Sequence, residues 1–238
     1  MPALTLERLL SSLGFGSRKD SRALIRMGVV EIDGIIEEDP FIELEKRPDY
    51  ITVNGEQIPT FEDLYIMMHK PLGYECSHNP RYHDSVFSLL PSRFLEMKIR
   101  SVGRLDVDSS GLLLLSNKGD FIHHLESPKR GVLKRYDVTL ARPLEKTQEE
   151  QLLSGVILKN EKRAVFARSL EKKSETQVEI EIGEGLYHQV RRMFAAVGNH
   201  VEELRRLSIG GLNLDQQLKP KEWKYLTESE IDQLMNRI

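Results

Sequence analysis

The run Gly111-Leu112-Leu113-Leu114-Leu115, placed behind the turn Gly103-Arg104-Leu105-Asp106-Val107-Asp108-Ser109, constrains this chain more than any other stretch. Four successive leucines are too apolar to be exposed, so the segment must be a buried strand, and a core has to be built around it. The turn before it holds one arginine and two carboxylates between glycines. Charged groups at the mouth of a buried strand are a frequent place for chemistry, although a charged loop ahead of a core strand reads the same way.

A chain of 238 residues is long enough for one or two domains with a real core. Hydrophobic residues make up 39% and charged residues 30%, the balance of a folded, soluble protein. No apolar run approaches the roughly 20 residues that span a bilayer, and no secretory leader is expected at Met1-Pro2-Ala3-Leu4-Thr5. The expected location is the cytoplasm. A single cysteine, Cys76, excludes an intrachain disulfide and a multi-cysteine zinc site. The net charge of −3 argues against a generally basic nucleic-acid binder. Its distribution is polarised, however: Arg18, Lys19, Arg22 and Arg26 face only Asp20 nearby, whereas residues 31–45 are strongly acidic.

Leu6, Leu9, Leu10 and Leu13 mark one helical face with Gly14 as its stop. Ser17 is placed to cap a second helix that ends near Met27-Gly28, with Lys19, Arg22 and Arg26 on one side. Short strands at Val29–Ile32 and Tyr50–Val53 follow, the second with an Asn54-Gly55 hairpin signal. This small module would offer a phosphate-facing surface, or simply a solvated helix face. Residues 60–64 read as a linker or edge. A second unit opens with the apolar strand Tyr65–Met68 and a turn at His69–Tyr74. Alternation marks strands at Tyr136–Leu140 and Val178–Ile182, and Val190, Met193, Phe194 and Val197 mark a helix. Thr227 opens a last helix with a capping box to Glu230.

On the Val190–Val197 helix, Arg191 lies about 100° from the buried stripe and can reach a half-buried partner, while Arg192 should be solvated. Tyr136 faces inward, as a core tyrosine or as a ring in a cleft. His188 and His200 match no metal spacing, and there is no P-loop, dinucleotide fingerprint or HExxH. A carboxylate, an arginine and an aromatic ring gathered in one domain behind a basic module suit an enzyme acting on RNA without metal or nucleotide. The residues alone do not choose between Asp106 and Asp108.

The ordered motifs carry a resemblance. Gly103-Arg104-Leu105-Asp106, continuing through Ser110–Asn117 and Gly119, is similar to the signature of RNA pseudouridine synthases of the RsuA class. Lys70-Pro71-Leu72-Gly73, then Ser127-Pro128 with Lys134-Arg135-Tyr136, then Glu184–Asn199 with Leu204, Arg206 and Ile209-Gly210, resemble the family's other motifs. Residues 1–60 resemble an S4-type RNA-binding domain. The resemblance implies an α+β fold: a small S4-like αL domain at 1–60, then a catalytic domain at 61–238 with a mixed, mostly antiparallel sheet flanked by helices. It implies isomerisation of uridine in RNA, in which the N1–C1′ bond breaks, uracil turns, and a C5–C1′ bond forms, with no cofactor and no metal. Asp106 then matches the essential aspartate, kept ionised by an ion pair to Arg191, and Tyr136 stacks on the flipped base. Arg104 and Lys134, with Arg18, Lys19, Arg22 and Arg26, bind RNA. The S4-like module and Tyr187-His188-Gln189-Val190, with Lys134-Arg135-Tyr136, resemble most the small-subunit branch, which modifies position 516 of 16S rRNA. The expected partner is rRNA, free or in a ribonucleoprotein, met by a monomer. A 23S rRNA synthase, or a noncatalytic S4-type assembly factor, are the alternatives. Leu186 and the acidic second half of the first module depart from the family pattern.

Overall fold

The structure, a computed structural model, describes residues 4–235. The chain forms two compact units. One runs as far as Leu64 and also takes Leu90–Arg100; the other holds Tyr65–Leu89 and everything from Ser101. The sequence suggested a single cut after residue 60 and gave no sign that Leu90–Arg100 returns to the first unit.

In the first unit, helix Leu6–Ser12 buries Leu6, Leu9 and Leu10, with Leu13 just past its end, and all four are 0% exposed. Each such side chain contributes about 1.5–3 kcal/mol on burial. Gly14 follows at φ +85°, and a Cβ there would lie 2.1 Å from the Arg93 carbonyl oxygen. Only glycine lets the Leu90–Arg100 segment approach so closely. Ser17 caps helix Arg18–Arg26 in a full capping box with Asp20. A four-stranded antiparallel sheet completes the unit, in the order Ile35–Ile36, Val30–Ile32, Tyr50–Val53, Glu56–Pro59. Asn54 at φ +51° and Gly55 at φ +78° form its last hairpin turn, the primed geometry that matches strand twist.

The second unit is built on a nine-stranded mixed sheet. Its main row runs Ser169–Lys172, Gln177–Ile182, Lys134–Leu140, Val201–Ile209, Ser109–Ser116, Tyr65–Lys70, Trp223–Tyr225. Every pairing along this row is antiparallel except the one between Ser109–Ser116 and Val201–Ile209. The leucine run sits inside this row, and Leu112 to Leu115 are all 0% exposed. Apolar groups cover both sides of it. One cluster joins Leu112 and Leu114 to Phe121, Ile122 and Leu125 of helix Gly119–Glu126. A second joins Tyr136, Val138, Leu140, Val178, Ile180 and Ile182 to Val190, Met193 and Phe194 of helix Gln189–Ala196. The alternations in the sequence emerge as inward faces of two paired strands, with Tyr136 opposite Ile180 and Val138 opposite Val178. The last helix, Glu228–Met235, is capped as its sequence suggests: the Glu230 N–H donates to Thr227 Oγ1 and the Thr227 N–H to Glu230 Oε2.

Candidate active site

One register row crosses five strands of the second unit. Lys70 is opposite Gly111, Gly111 opposite Arg206, Arg206 opposite Tyr136, and Tyr136 opposite Ile180. Directly opposite residues share a sheet face, so a lysine, an arginine and a tyrosine line up on one side. Gly111, at φ +105°, is what allows the row to close. A Cβ there would stand 2.2 Å from the Arg206 carbonyl oxygen and 2.7 Å from its nitrogen. The Arg206 side chain is 2% exposed; its Nε donates to the Leu112 carbonyl at 2.8 Å, and its buried Nη2 has no partner among the described residues.

Asp106 stands in the turn that enters the leucine strand, and the four carbonyls from Asp106 to Ser109 are all held. The Asp106 carbonyl accepts from the Ser109 N–H at 3.1 Å and from Lys70 Nζ at 2.9 Å. The Val107 carbonyl accepts from the Gly73 N–H at 2.8 Å. The Asp108 carbonyl accepts from Arg191 Nη2 at 3.0 Å, and the Ser109 carbonyl from Lys70 Nζ at 2.8 Å. Lys70 is wholly buried, and its third bond goes to the Pro71 carbonyl at 3.0 Å, so all three ammonium donors are used. Burial pushes its pKa below the usual lysine range, with Asp106 and Asp108 among the charges that oppose the shift. A loop tied at four consecutive carbonyls holds its backbone in place, so the point from which the Asp106 side chain starts is set.

The Asp106 carboxylate keeps 32% of its side-chain surface and has His188 Nε2 3.2 Å from its Oδ1. Arg191 does not take it. That guanidinium meets the Asp108 carboxylate at 3.0 Å and the Val201 carbonyl at 2.9 Å. The expected ion pair between Arg191 and Asp106 is therefore corrected: Arg191 braces the turn two residues further on and holds Asp108. The 100° offset correctly put Arg191 within reach of an acceptor beside the buried stripe, but angular position on a helix does not say which of two carboxylates in one turn will be met. Leu105, Tyr136 and Val190 are buried in one apolar cluster, with Leu186 packed against it. His188 and Arg191 thus bring helix Gln189–Ala196 onto the aspartate turn, and Leu105 of that turn belongs to the same apolar cluster as Tyr136.

Residues 64–196 match the family of RNA pseudouridylate synthases. The chain belongs to this family. Among its relatives, the ribosomal small subunit pseudouridine synthase A of Vibrio cholerae is 38% identical over 228 residues, covering 96% of this chain and 98% of the relative. The protein of the same name from Escherichia coli is 41% identical over 207 residues, covering 87% and 89%. A crystal structure of a pseudouridylate synthase aligns with a TM-score of 0.69 at 35% identity, covering 98% of this chain and 100% of that one. The fold, the enzyme class and the mixed sheet read from the motifs are those of a pseudouridine synthase.

The remaining synthase residues singled out from sequence divide by environment. Tyr136 is 7% exposed, so only a margin of the ring is open. Arg104 is exposed, two residues before Asp106. Lys134 turns inward; its Nζ donates to the Val132 carbonyl at 3.1 Å. Burial lowers its pKa to about 8, Arg206 adding to the shift and Glu126 opposing it. Arg192, expected in solvent, clamps instead: it bonds Glu161 at 3.3 Å, the Tyr187 carbonyl at 3.0 Å and the Lys159 carbonyl. A folded-back loop covers the helix face that the pattern left open. In the first unit, Arg18, Lys19 and Arg26 are exposed. Arg22 is not free, because its guanidinium pairs with the buried Glu7 and lies over the Phe41 ring at 5.1 Å. That hydrogen bond holds the Glu7 carboxyl below the usual carboxylate range. Three residues at the site went unassigned. Lys70 and Arg206 are charges inside otherwise apolar strands, a signal present in the sequence; His188 had none, since its contact depends on a backbone angle. Among the described residues no group of three His, Cys, Asp or Glu side chains could hold a metal ion, and no helix is long and apolar enough to cross a membrane.

Proposed function

We propose that this synthase converts one uridine of small-subunit (16S) rRNA to pseudouridine, with position 516 the site the resemblance points to. The observation that carries the mechanism is the Asp106 carboxylate, partly open to solvent, on a turn whose backbone is tied to the buried Lys70, a member of the row that also holds Arg206 and Tyr136. The relatives named for the small subunit supply the substrate.

In this reading the target nucleotide leaves its stack, which costs a few kcal/mol, and the uracil packs against the margin of Tyr136, recovering about 1–3 kcal/mol. Arg104 stands beside the emptied place. Asp106 acts at the sugar as a carboxylate, as nucleophile toward C1′ or as base for the 2′ proton, and the N1–C1′ bond breaks with its electron pair leaving on uracil. The uracil turns, C5 bonds to C1′ as the Asp106 ester is displaced or the 2′ proton is returned, C5 loses its proton and N1 takes one up. The positive row behind the site favours that developing negative charge. Arg191 serves through Asp108 and the turn. The first unit, as an S4-like domain, offers Arg18, Lys19 and Arg26 to phosphates, and the enzyme works as a monomer in the cytoplasm. Pseudouridine mapping of 16S rRNA from cells with and without the gene tests the target. One small-subunit signal should vanish and return with the wild-type gene but not with Asp106→Asn. Loss of a 23S signal instead would move the enzyme to the large subunit, and full complementation by Asp106→Asn would remove the assignment of this carboxylate.

A further inference from the structure

His188 stands at the entry to its helix and has an unusual backbone. As the N-cap of Gln189–Ala196 it has φ +50° and ψ +34°, the left-handed region, where an N-cap residue ordinarily takes the extended region. A side chain is uncommon there, and strained positions collect where a site needs a group aimed. The surroundings over-determine the angle. Gln189 Oε1 accepts from the Leu186 N–H at 3.0 Å, the Arg192 N–H donates to the His188 carbonyl at 2.9 Å, and Arg192 Nη1 donates to the Tyr187 carbonyl at 3.0 Å. Arg192 is in turn anchored to Glu161. The product of this arrangement is the direction of one ring. Tyr187 stacks flat against it, centroids 3.8 Å apart at 19°, and Nε2 arrives 3.2 Å from Asp106 Oδ1.

We propose that His188 is a positioning residue for Asp106. Its Nε2–H donates to Oδ1, fixes the rotation of the carboxylate that the tied turn leaves free, and leaves the second oxygen for the sugar. The backbone bonds fix where the Asp106 Cα sits; they do not fix the carboxylate about its own side-chain torsions. A ring pinned on one face by Tyr187 and held at its backbone by Arg192 supplies the missing constraint. The inference rests on the proposed role of Asp106 and deepens it.

The left-handed backbone gives a test that separates aiming from folding. Glycine takes that conformation without strain. His188→Gly therefore removes the ring and leaves a relaxed backbone. On an rRNA transcript that the wild-type enzyme converts, His188→Gly should lower kcat about 10- to 100-fold, the size of effect expected when a reacting group is misplaced by about 1 Å. KM should stay within about twofold, and the melting temperature should be no lower than that of wild type. His188→Gln, whose amide nitrogen reaches the place of Nε2, should recover most of the lost kcat. An unchanged kcat in His188→Gly overturns the proposal. So does a loss of kcat that comes with a lower melting temperature, or a His188→Gln protein no better than His188→Gly. If Asp106→Asn turns over normally, the reading of Asp106 fails and this inference fails with it. If Asp106→Asn is inactive while His188→Gly keeps its kcat, only the inference about His188 fails.

Discussion

Replacing Gly111 by alanine should break this enzyme at the centre of its sheet. The residue stands at φ +105°, where an L side chain costs on the order of 1–3 kcal/mol. The added methyl would also start 2.2 Å from the Arg206 carbonyl oxygen and 2.7 Å from the Arg206 nitrogen, both backbone atoms. Neither can swing aside, because Arg206 is paired with Tyr136 on its other edge. Moving one strand of the parallel pair by about 1 Å is an overpacking change, which costs about 1–3 kcal/mol. The two contributions together give about 2–6 kcal/mol, against a stability of about 5–15 kcal/mol for an ordinary domain. Gly119→Ala is the control. It starts a helix, and its new methyl would meet nothing within 4 Å, so it should be neutral or stabilising by up to about 1 kcal/mol. Urea unfolding followed by far-ultraviolet circular dichroism measures both. A Gly111→Ala protein within about 1 kcal/mol of wild type that still makes pseudouridine would refute the reasoning, since it would mean that the row Lys70–Gly111–Arg206–Tyr136 does not depend on close approach at its middle.

Lys134 predicts a pH effect. Its folded pKa of about 8 lies below the ordinary 10.5, so between these values the unfolded chain binds more protons and stability rises with pH; below about 8 the charged, buried ammonium costs up to about 3 kcal/mol. Lys134→Met should be the more stable protein at pH 7 and should show a flatter rise between pH 8 and 10 in urea titrations; equal slopes in both proteins would dismiss the effect. Asp108→Asn keeps the carbonyl that Arg191 holds at 3.0 Å and should retain most turnover, while Asp106→Asn should lose at least about a thousandfold; single-turnover rates on the same transcript decide, and a reversed order would exchange the two carboxylates. Lys19→Ala with Arg26→Ala should weaken RNA binding and reduce the slope of log affinity against log salt by about 0.7–0.9 for each phosphate the helix no longer neutralises, without changing the melting temperature. Including Arg22 in that test would confuse it with the loss of the Glu7 partner, and an unchanged slope would demote this helix face to ordinary surface.

Local pattern specified the elements well where one cause acts alone. The leucines of the first helix, the Ser17 and Thr227 caps, the Asn54-Gly55 turn and the alternations at Tyr136–Leu140 and Val178–Ile182 depend on neighbours a few residues away, and all are seen in the structure. Arg22 and Arg192 escape such a reading for a common reason. Periodicity tells which way a side chain points from its helix, but not that Glu7 or the 159–161 loop will be waiting there.

The amino-acid sequence determined that a carboxylate-bearing turn must lead into a buried strand, because four adjacent leucines have nowhere else to go and the turn is joined to them covalently. It also carried the family, because ordered motifs survive as letters. Which nitrogen-bearing side chain meets which carboxylate was decided only in three dimensions. Arg191 goes to Asp108 and His188 to Asp106 because the parallel pairing of two distant strands and one left-handed backbone angle set those distances, and neither is a property of any short stretch of chain.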